Sequence, residues 1–474
     1  MRNRSTWSIL VALLLCISAP RARPQQNEDL DREFQTAVQE YDSGQYAEAA
    51  AKLESLLRDA PQSFEVQELT GLVYSAQSLD SKAHTHLQKA VELKPNSAAA
   101  RTNLASNLVR LGDLELAETQ FRRALALESL NYDANHNLGE LYVQAGKIAQ
   151  AQPFLEKAQK IDPGSYENGY DLSLAYLQTG HVSDARQLIH ELLKRKDAAE
   201  LHNLLGEVEE KDGQFVLAAN EFELAAHADP SESNLFDWGS ELLLHRTLGP
   251  AVEVFQQAAA RYPNSPRLAI GLGMAFYARG NYDDAVAVLL KAADLNPSDP
   301  RCYLFLSRAY DSSPSQADDV LQRFRRYAEL QPTNARAQYY YAMSLWKGKR
   351  TQDANLDLNQ VELLLKMSLA LDPQLAEAHL QLGNLHFDQK KYSESIPEFT
   401  RALELNPDLS DAHYRLGQAY VRTGDKERGQ AQLAIYQRVR EQHLADLEKQ
   451  RAEIRQFVFS AKNGSAKDAP AEKP

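Results

Sequence analysis

Four places in the chain carry residue types that could do chemistry. The stretch "HELLK" opens with His190 and Glu191, but position 194 is Lys, so the second histidine of a zinc-binding helix is missing. His84 and His86 in "AHTHLQ" lie two apart, which on a helix points them to different faces, as solvated side chains and not as a metal pair. The segment "GLGMAFYARG" has the glycines of a phosphate loop, yet no strand precedes it to set up a strand–loop–helix cradle. Cys302 has no base placed beside it and reads as a small buried hydrophobe. No alternation of strand and helix patterns appears, which leaves no room for a fused catalytic domain. The expectation is a protein without catalytic activity, cofactor or metal site.

What must position any functional side chain is a repeat. A small residue recurs at Ala37, Gly71, Ala105, Gly139, Ser173, Gly206, Gly239, Gly273, Ser307, Ala342, Gly383 and Gly417, at intervals of 33 to 35 residues with one of 41. Twelve residues after each of the first eight stands an alanine, Ala49 through Ala285, and four further on a bulky residue such as Leu53, Phe121, Phe255 or Leu289. Proline closes most units, as at Pro61, Pro95, Pro163 and Pro297, and a glycine sits midway, as at Gly44, Gly112 and Gly280. These are the parts of a helical hairpin. Small residues let two helices approach, bulky ones fill the space between them, glycine turns the chain and proline ends the second helix.

Period, small-residue spacing and closing proline together resemble the tetratricopeptide repeat family, over about residues 30 to 441 and as twelve units. The resemblance implies an all-α, right-handed superhelical solenoid whose concave face, lined by the first helix of each hairpin, binds peptides or other proteins. Stacking also follows from the hairpins themselves, because none can bury its apolar face alone. The reading divides the chain into a signal peptide (1–22), units one to five (30–197), six to nine (199–333), and ten to twelve (335–441) with an inserted loop near 348–360. A capping helix (442–459) and a disordered tail (460–474) follow. Departures from the pattern fall at Ser129 and Asp197 in place of proline, at the basic "LLKRKDAA", at "SSPSQADD" in place of a glycine turn, and at Gly429 and Tyr436 in place of alanine.

The first segment, "MRNRSTWSILVALLLCISAPRARPQQ", has Arg2 and Arg4 before an apolar run from Trp7 to Ala19, the layout of an export signal and too short a run for a comfortable membrane span. Cys16 would leave with it, so Cys302 has no partner for a disulfide. Export without disulfides places the protein, as an expectation, in the periplasm of a bacterium or secreted from it. With 52 basic against 65 acidic residues the net charge is −13, which argues against nucleic acid and for a cationic or neutral partner.

Within the family, some members hold a C-terminal carboxylate with Lys and Asn flanking the packing residue. Here those positions carry Thr102 with Ser106, His136 with Glu140, and Asn203 with Glu207, so that clamp is absent. A second family device, asparagines two residues before the packing position, survives at Asn103 and Asn137 and gives way to Asp171, Leu204 and Asp237. Toward the C-terminus the same stripe becomes aromatic, with Tyr277, Phe305, Tyr339, Tyr340, Trp346 and Tyr414. These eight residues are the expected contacts of an exported scaffold for proteins or extended peptides. The alternative is an envelope assembly or transport component, of pilus biogenesis or exopolysaccharide export, with a glycan as ligand.

Overall fold

The computed structural model describes residues 24–349 and 358–442. The expected signal peptide, the middle of the inserted loop, the tail and nearly all of the capping helix lie outside the described residues. Every element among the described residues is helical. The helices are α1 (Pro24–Asp42), α2 (Tyr46–Asp59), α3 (Phe64–Ala76), α4 (Asp80–Leu93), α5 (Ala98–Leu111), α6 (Leu114–Leu127), α7 (Tyr132–Gln144), α8 (Ile148–Ile161), α9 (Tyr166–Thr179) and α10 (Val182–Leu193), then α11 (Ala199–Lys211), α12 (Phe215–Ala228), α13 (Glu232–Leu244), α14 (Leu248–Arg261), α15 (Pro266–Arg279) and α16 (Tyr282–Leu295). They continue as α17 (Pro300–Ser312), α18 (Ala317–Leu330), α19 (Ala335–Lys349), α20 (Leu358–Leu371), α21 (Ala376–Asp388), α22 (Tyr392–Leu405), α23 (Ser410–Arg422) and α24 (426–442). The chain forms two compact units that divide at Leu192 and Leu193, inside "LLKRKDAA".

Odd-numbered helices pack on the even-numbered ones that follow them, as α3 on α4, α5 on α6 and α11 on α12. The small residues do the work expected of them. A methyl group on Gly71 would come within 2.5 Å of the Leu87 side chain, on Gly139 within 2.5 Å of Leu155, and on Gly273 within 2.5 Å of Leu289. Phe222 and Phe399 close on Gly206 and Gly383 in the same way. These bulky partners, with Ala83, Ala117, Ala151 and their equivalents, are withdrawn from solvent and form the core. Gly429, where alanine was expected, has a reason of its own: a Cβ there would lie 3.0 Å from the Gly417 carbonyl oxygen, so α23 and α24 touch backbone to backbone.

Starts and turns are equally local in origin. Most odd-numbered helices open on a side-chain cap: Ser63, Ser97, Asn131, Ser165, Ser231, Ser265 and Asp299 each accept a hydrogen bond from a first-turn backbone N–H. The hairpin turn needs one left-handed residue, supplied by Gly112 (φ 84°) and its counterparts and, without glycine, by Ser78, Arg246 and Lys390 at the same register. In the ninth hairpin Gln316 takes the left-handed role within "SSPSQADD". At the expected inserted loop, α19 runs to Lys349 and α20 begins at Leu358, and residues 350–357 lie outside the described residues.

Candidate functional site

In the first unit the odd-numbered helices adjoin one another, α3 with α5, α5 with α7 and α7 with α9, so residues at one register position form a continuous face. Asn103 on α5 and Asn137 on α7 lie on it, half-buried. Their amides are engaged within the protein: Asn103 donates to Glu68 Oε1 (3.1 Å) and Asn137 to Ser106 Oγ (3.1 Å). Glu68 is 6 % exposed, and burial pushes its carboxyl up to about 7 despite the bond from Asn103 and the charge of Lys94.

Farther along this face stand Glu140 on α7 and Asp171 on α9. Burial raises Asp171 to about 6 against the attraction of His136, and Glu140 and Glu167 add smaller repulsions. His136 stacks on Tyr132, with ring centroids 5.7 Å apart, and its Nδ1 lies 3.2 Å from Asn168 Oδ1. A carboxyl raised in this way marks an anion short of compensating charge, and a cation brought to it would be bound and would return its pKa toward normal. Sequence reasoning recorded Asp171 as a break in the asparagine pattern. The signal for it was an acid at the ladder position, preceded 31 residues earlier by a second acid, Glu140.

In the second unit the equivalent acids are partly answered from within. Asp237 accepts from Asn203 (3.2 Å) and pairs with Arg267 (3.3 Å), whose guanidinium also lies 3.7 Å from the Phe236 ring centre. Burial, with Asp237 nearby, raises Glu207.

The aromatic residues divide. Tyr277, beside Tyr282, and Phe305, with the Arg308 guanidinium 5.8 Å from its ring, are half-buried. Tyr339 is also half-buried and sits edge-on to Tyr340. Tyr414 is 41 % exposed and lies against Tyr436 at 5.2 Å. Tyr340 and Trp346 correct the expectation of exposed anchors, being only 4 % and 5 % exposed. Tyr340 packs on Phe324, and Trp346 joins the cluster of Met343, Leu345, Val361 and Leu365. Rings of this size gain more by leaving water than by waiting for a ligand.

The other chemistry-bearing residues are structural. Cys302 is fully buried, its thiol donates to Asp299 O (3.1 Å), and burial raises it to about 12, far from a reactive thiolate. His190 and Glu191 are exposed. His84 and His86, expected as solvated, are half-buried beside the same hollow, and His86 Nδ1 lies 2.8 Å from Gln67 Oε1. A register position that sequence reasoning passed over ties hairpins together. His202 contacts Glu221 (2.6 Å) and Asp197 (2.8 Å), His379 reaches Glu398 (2.6 Å) and the Pro373 carbonyl (3.2 Å), and His413 reaches the Pro407 carbonyl (3.0 Å). Asp197, which replaces a closing proline, therefore substitutes a carboxylate for the usual carbonyl.

No curated protein sequence matches the chain. In fold it is similar to pilF of Pseudomonas aeruginosa (22 % identity, TM-score 0.37, covering 43 % of this chain and 94 % of that one). It is also similar to a tetratricopeptide repeat protein from Parabacteroides merdae (16 %, TM-score 0.38, covering 52 % and 99 %). A third is YrrB, a TPR protein with an unusual peptide-binding site (20 %, TM-score 0.33, covering 38 % and 95 %). Family models for the tetratricopeptide repeat match residues 35–98, 102–166 and 238–300, then 142–208, and a TPR repeat model matches residues 383–424. With paired helices closed on small residues in both units, the chain is a tetratricopeptide repeat protein.

Proposed function

We propose that this protein is an exported, non-catalytic scaffold that binds proteins or extended peptides, and that the α5–α7–α9 face receives a segment carrying Lys or Arg. The observation that carries this reading is the placement of Glu140 and Asp171 on the adjoining helices α7 and α9, where burial outweighs the attraction of His136 and raises the Asp171 carboxyl to about 6. A guanidinium or ammonium group placed there would stabilise the ionised form and give charge-assisted hydrogen bonds. The net charge of −13 favours encounter with such a segment and makes the association rate fall with salt.

The test is a titration of the full chain with fluorescent extended peptides that differ only in Lys/Arg against Gln at alternate positions. Basic peptides should bind at least tenfold more tightly, and Asp171→Asn with Glu140→Gln should remove most of that preference while the helical circular dichroism stays constant. Equal binding of basic and neutral peptides by the wild-type protein would overturn the reading. Binding of an envelope polysaccharide instead, lost on Tyr414→Ala, would favour the assembly or transport alternative. Export rests on the layout of residues 1–22, and mass spectrometry of the chain purified from a bacterial periplasm should find it shortened by about that segment.

A further inference from the structure

Apart from the face just described, the second unit brings together three side chains that no part of the scaffold reading uses. Glu210 stands near the end of α11, Glu241 on α13, and His245 caps α13 four residues after Glu241. One ligating atom from each lies within 4.8 Å of the others. His245 Nε2 is 3.0 Å from Glu210 Oε2 and 3.3 Å from Glu241 Oε1. The imidazole stacks on Phe215 at 4.0 Å between centroids, which fixes the plane of the ring and the direction of Nε2.

Two facts separate this group from an ordinary surface cluster. Glu241 is 5 % exposed, and its Oε1, the oxygen turned toward His245, accepts no hydrogen bond. A buried carboxylate oxygen without a donor is costly, and structures normally avoid leaving one. The second fact is spacing. Ligand atoms held at about 2.0–2.1 Å by one tetrahedral ion are about 3.3 Å from each other, and the two nitrogen–oxygen distances here are 3.0 and 3.3 Å.

We propose that Glu210, Glu241 and His245 form a binding site for a first-row divalent transition cation, with Zn²⁺ the ion that the donor set fits best. One imidazole nitrogen with two carboxylate oxygens suits Zn²⁺, whereas Mg²⁺ and Ca²⁺ favour all-oxygen shells. Glu210 and His245 keep side-chain exposures of 32 % and 14 %, so the ion would enter from solvent and hold a fourth position open for water or for a side chain of a bound partner. The contribution to this protein would be to pin α11 to α13, since Glu210 comes from α11, Glu241 from α13 and His245 from the cap of α13.

The experiment is calorimetric titration of Zn²⁺ into the untagged, chelator-washed full chain at neutral pH, with Mn²⁺ and Mg²⁺ in parallel and the visible spectrum of the Co²⁺ complex as an independent readout. One equivalent of Zn²⁺ per chain is expected, tighter than Mn²⁺, with no measurable Mg²⁺ binding and a raised melting temperature in the presence of Zn²⁺. Glu241→Gln and His245→Gln should each weaken binding at least tenfold and abolish the tetrahedral Co²⁺ bands. Glu210→Gln, at the most exposed of the three, is the variant to rely on if either of the others folds poorly. Failure of the wild-type chain to bind Zn²⁺ at 100-fold excess would overturn the site, as would affinity unchanged in Glu210→Gln and Glu241→Gln.

Discussion

On α5, α7 and α9 of the first unit, the register position two residues before the packing residue carries Asn103, Asn137 and Asp171, all half-buried and polar. On α15, α17 and α19 of the second unit, past Asp237 on α13, the same position carries Gly271, Phe305 and Tyr340. There the space is filled by rings: Phe255 from the preceding even-numbered helix comes within 2.5 Å of a methyl placed on Gly271, and Tyr340 itself fills the gap against Phe324. One backbone geometry therefore supports two outcomes. Where the side chain is small and polar it stays half-buried and keeps its hydrogen-bonding or charged group, and at Gly271 and Tyr340 a large ring closes the position into core, while Phe305 stays half-buried. The first stretch presents chemistry, and the second stores stability.

The strongest way to break this contrast is Trp346→Ala. The buried ring predicts a loss of about 3–5 kcal/mol in chemical denaturation, with peptide affinity unchanged in the fraction that stays folded. Lost binding at unchanged stability would return Trp346 to the surface role first expected of it. Glu68→Gln sharpens the polar side of the comparison. Because the folded protein holds this proton up to about pH 7 and the unfolded chain releases it near the ordinary 4.5, wild-type stability should fall as pH rises between those values. The Gln variant keeps the acceptor for Asn103, so it should match wild type below pH 4 and exceed it by up to about 3 kcal/mol above pH 8. Urea denaturation across that range reads both limbs, and parallel profiles for the two proteins would contradict the buried position of Glu68.

Gly139→Ala tests the part that both stretches share. Its methyl would meet Leu155 at 2.5 Å, and overpacking of this kind costs about 1–3 kcal/mol, visible as a lower melting temperature. Tyr414→Ala marks the lower limit, since an exposed ring resting on Tyr436 should be worth no more than about 0.5 kcal/mol to stability, so any larger effect in its thermal melt would move Tyr414 from the surface group to the core group.

Much of the fold was legible because it is periodic. Gly71, Leu87 and Pro95 announce a hairpin without help from the rest of the chain, and the turn glycines fall where the backbone turns left-handed. Ser78, Arg246 and Lys390 were not legible as turn residues, because hairpin packing forces on them a conformation that costs about 1–2 kcal/mol outside glycine and that no local pattern advertises. The candidate site was only half visible. Asn103 and Asn137 were found by their register, but Asp171 was set aside for not being asparagine, and the carboxylate–histidine group at Glu210 and His245 spans 35 residues with no motif to signal it.

The sequence by itself determined the element type, the pairing of helices and the close contacts within each hairpin, since these depend on residues at fixed short spacing along one chain. Tertiary structure decided which aromatic rings became core and which carboxyls were driven above their ordinary range. Burial is a property of what neighbouring hairpins place against a residue, and desolvation and pairing of charge act through those neighbours across distances in sequence that no local spacing encodes.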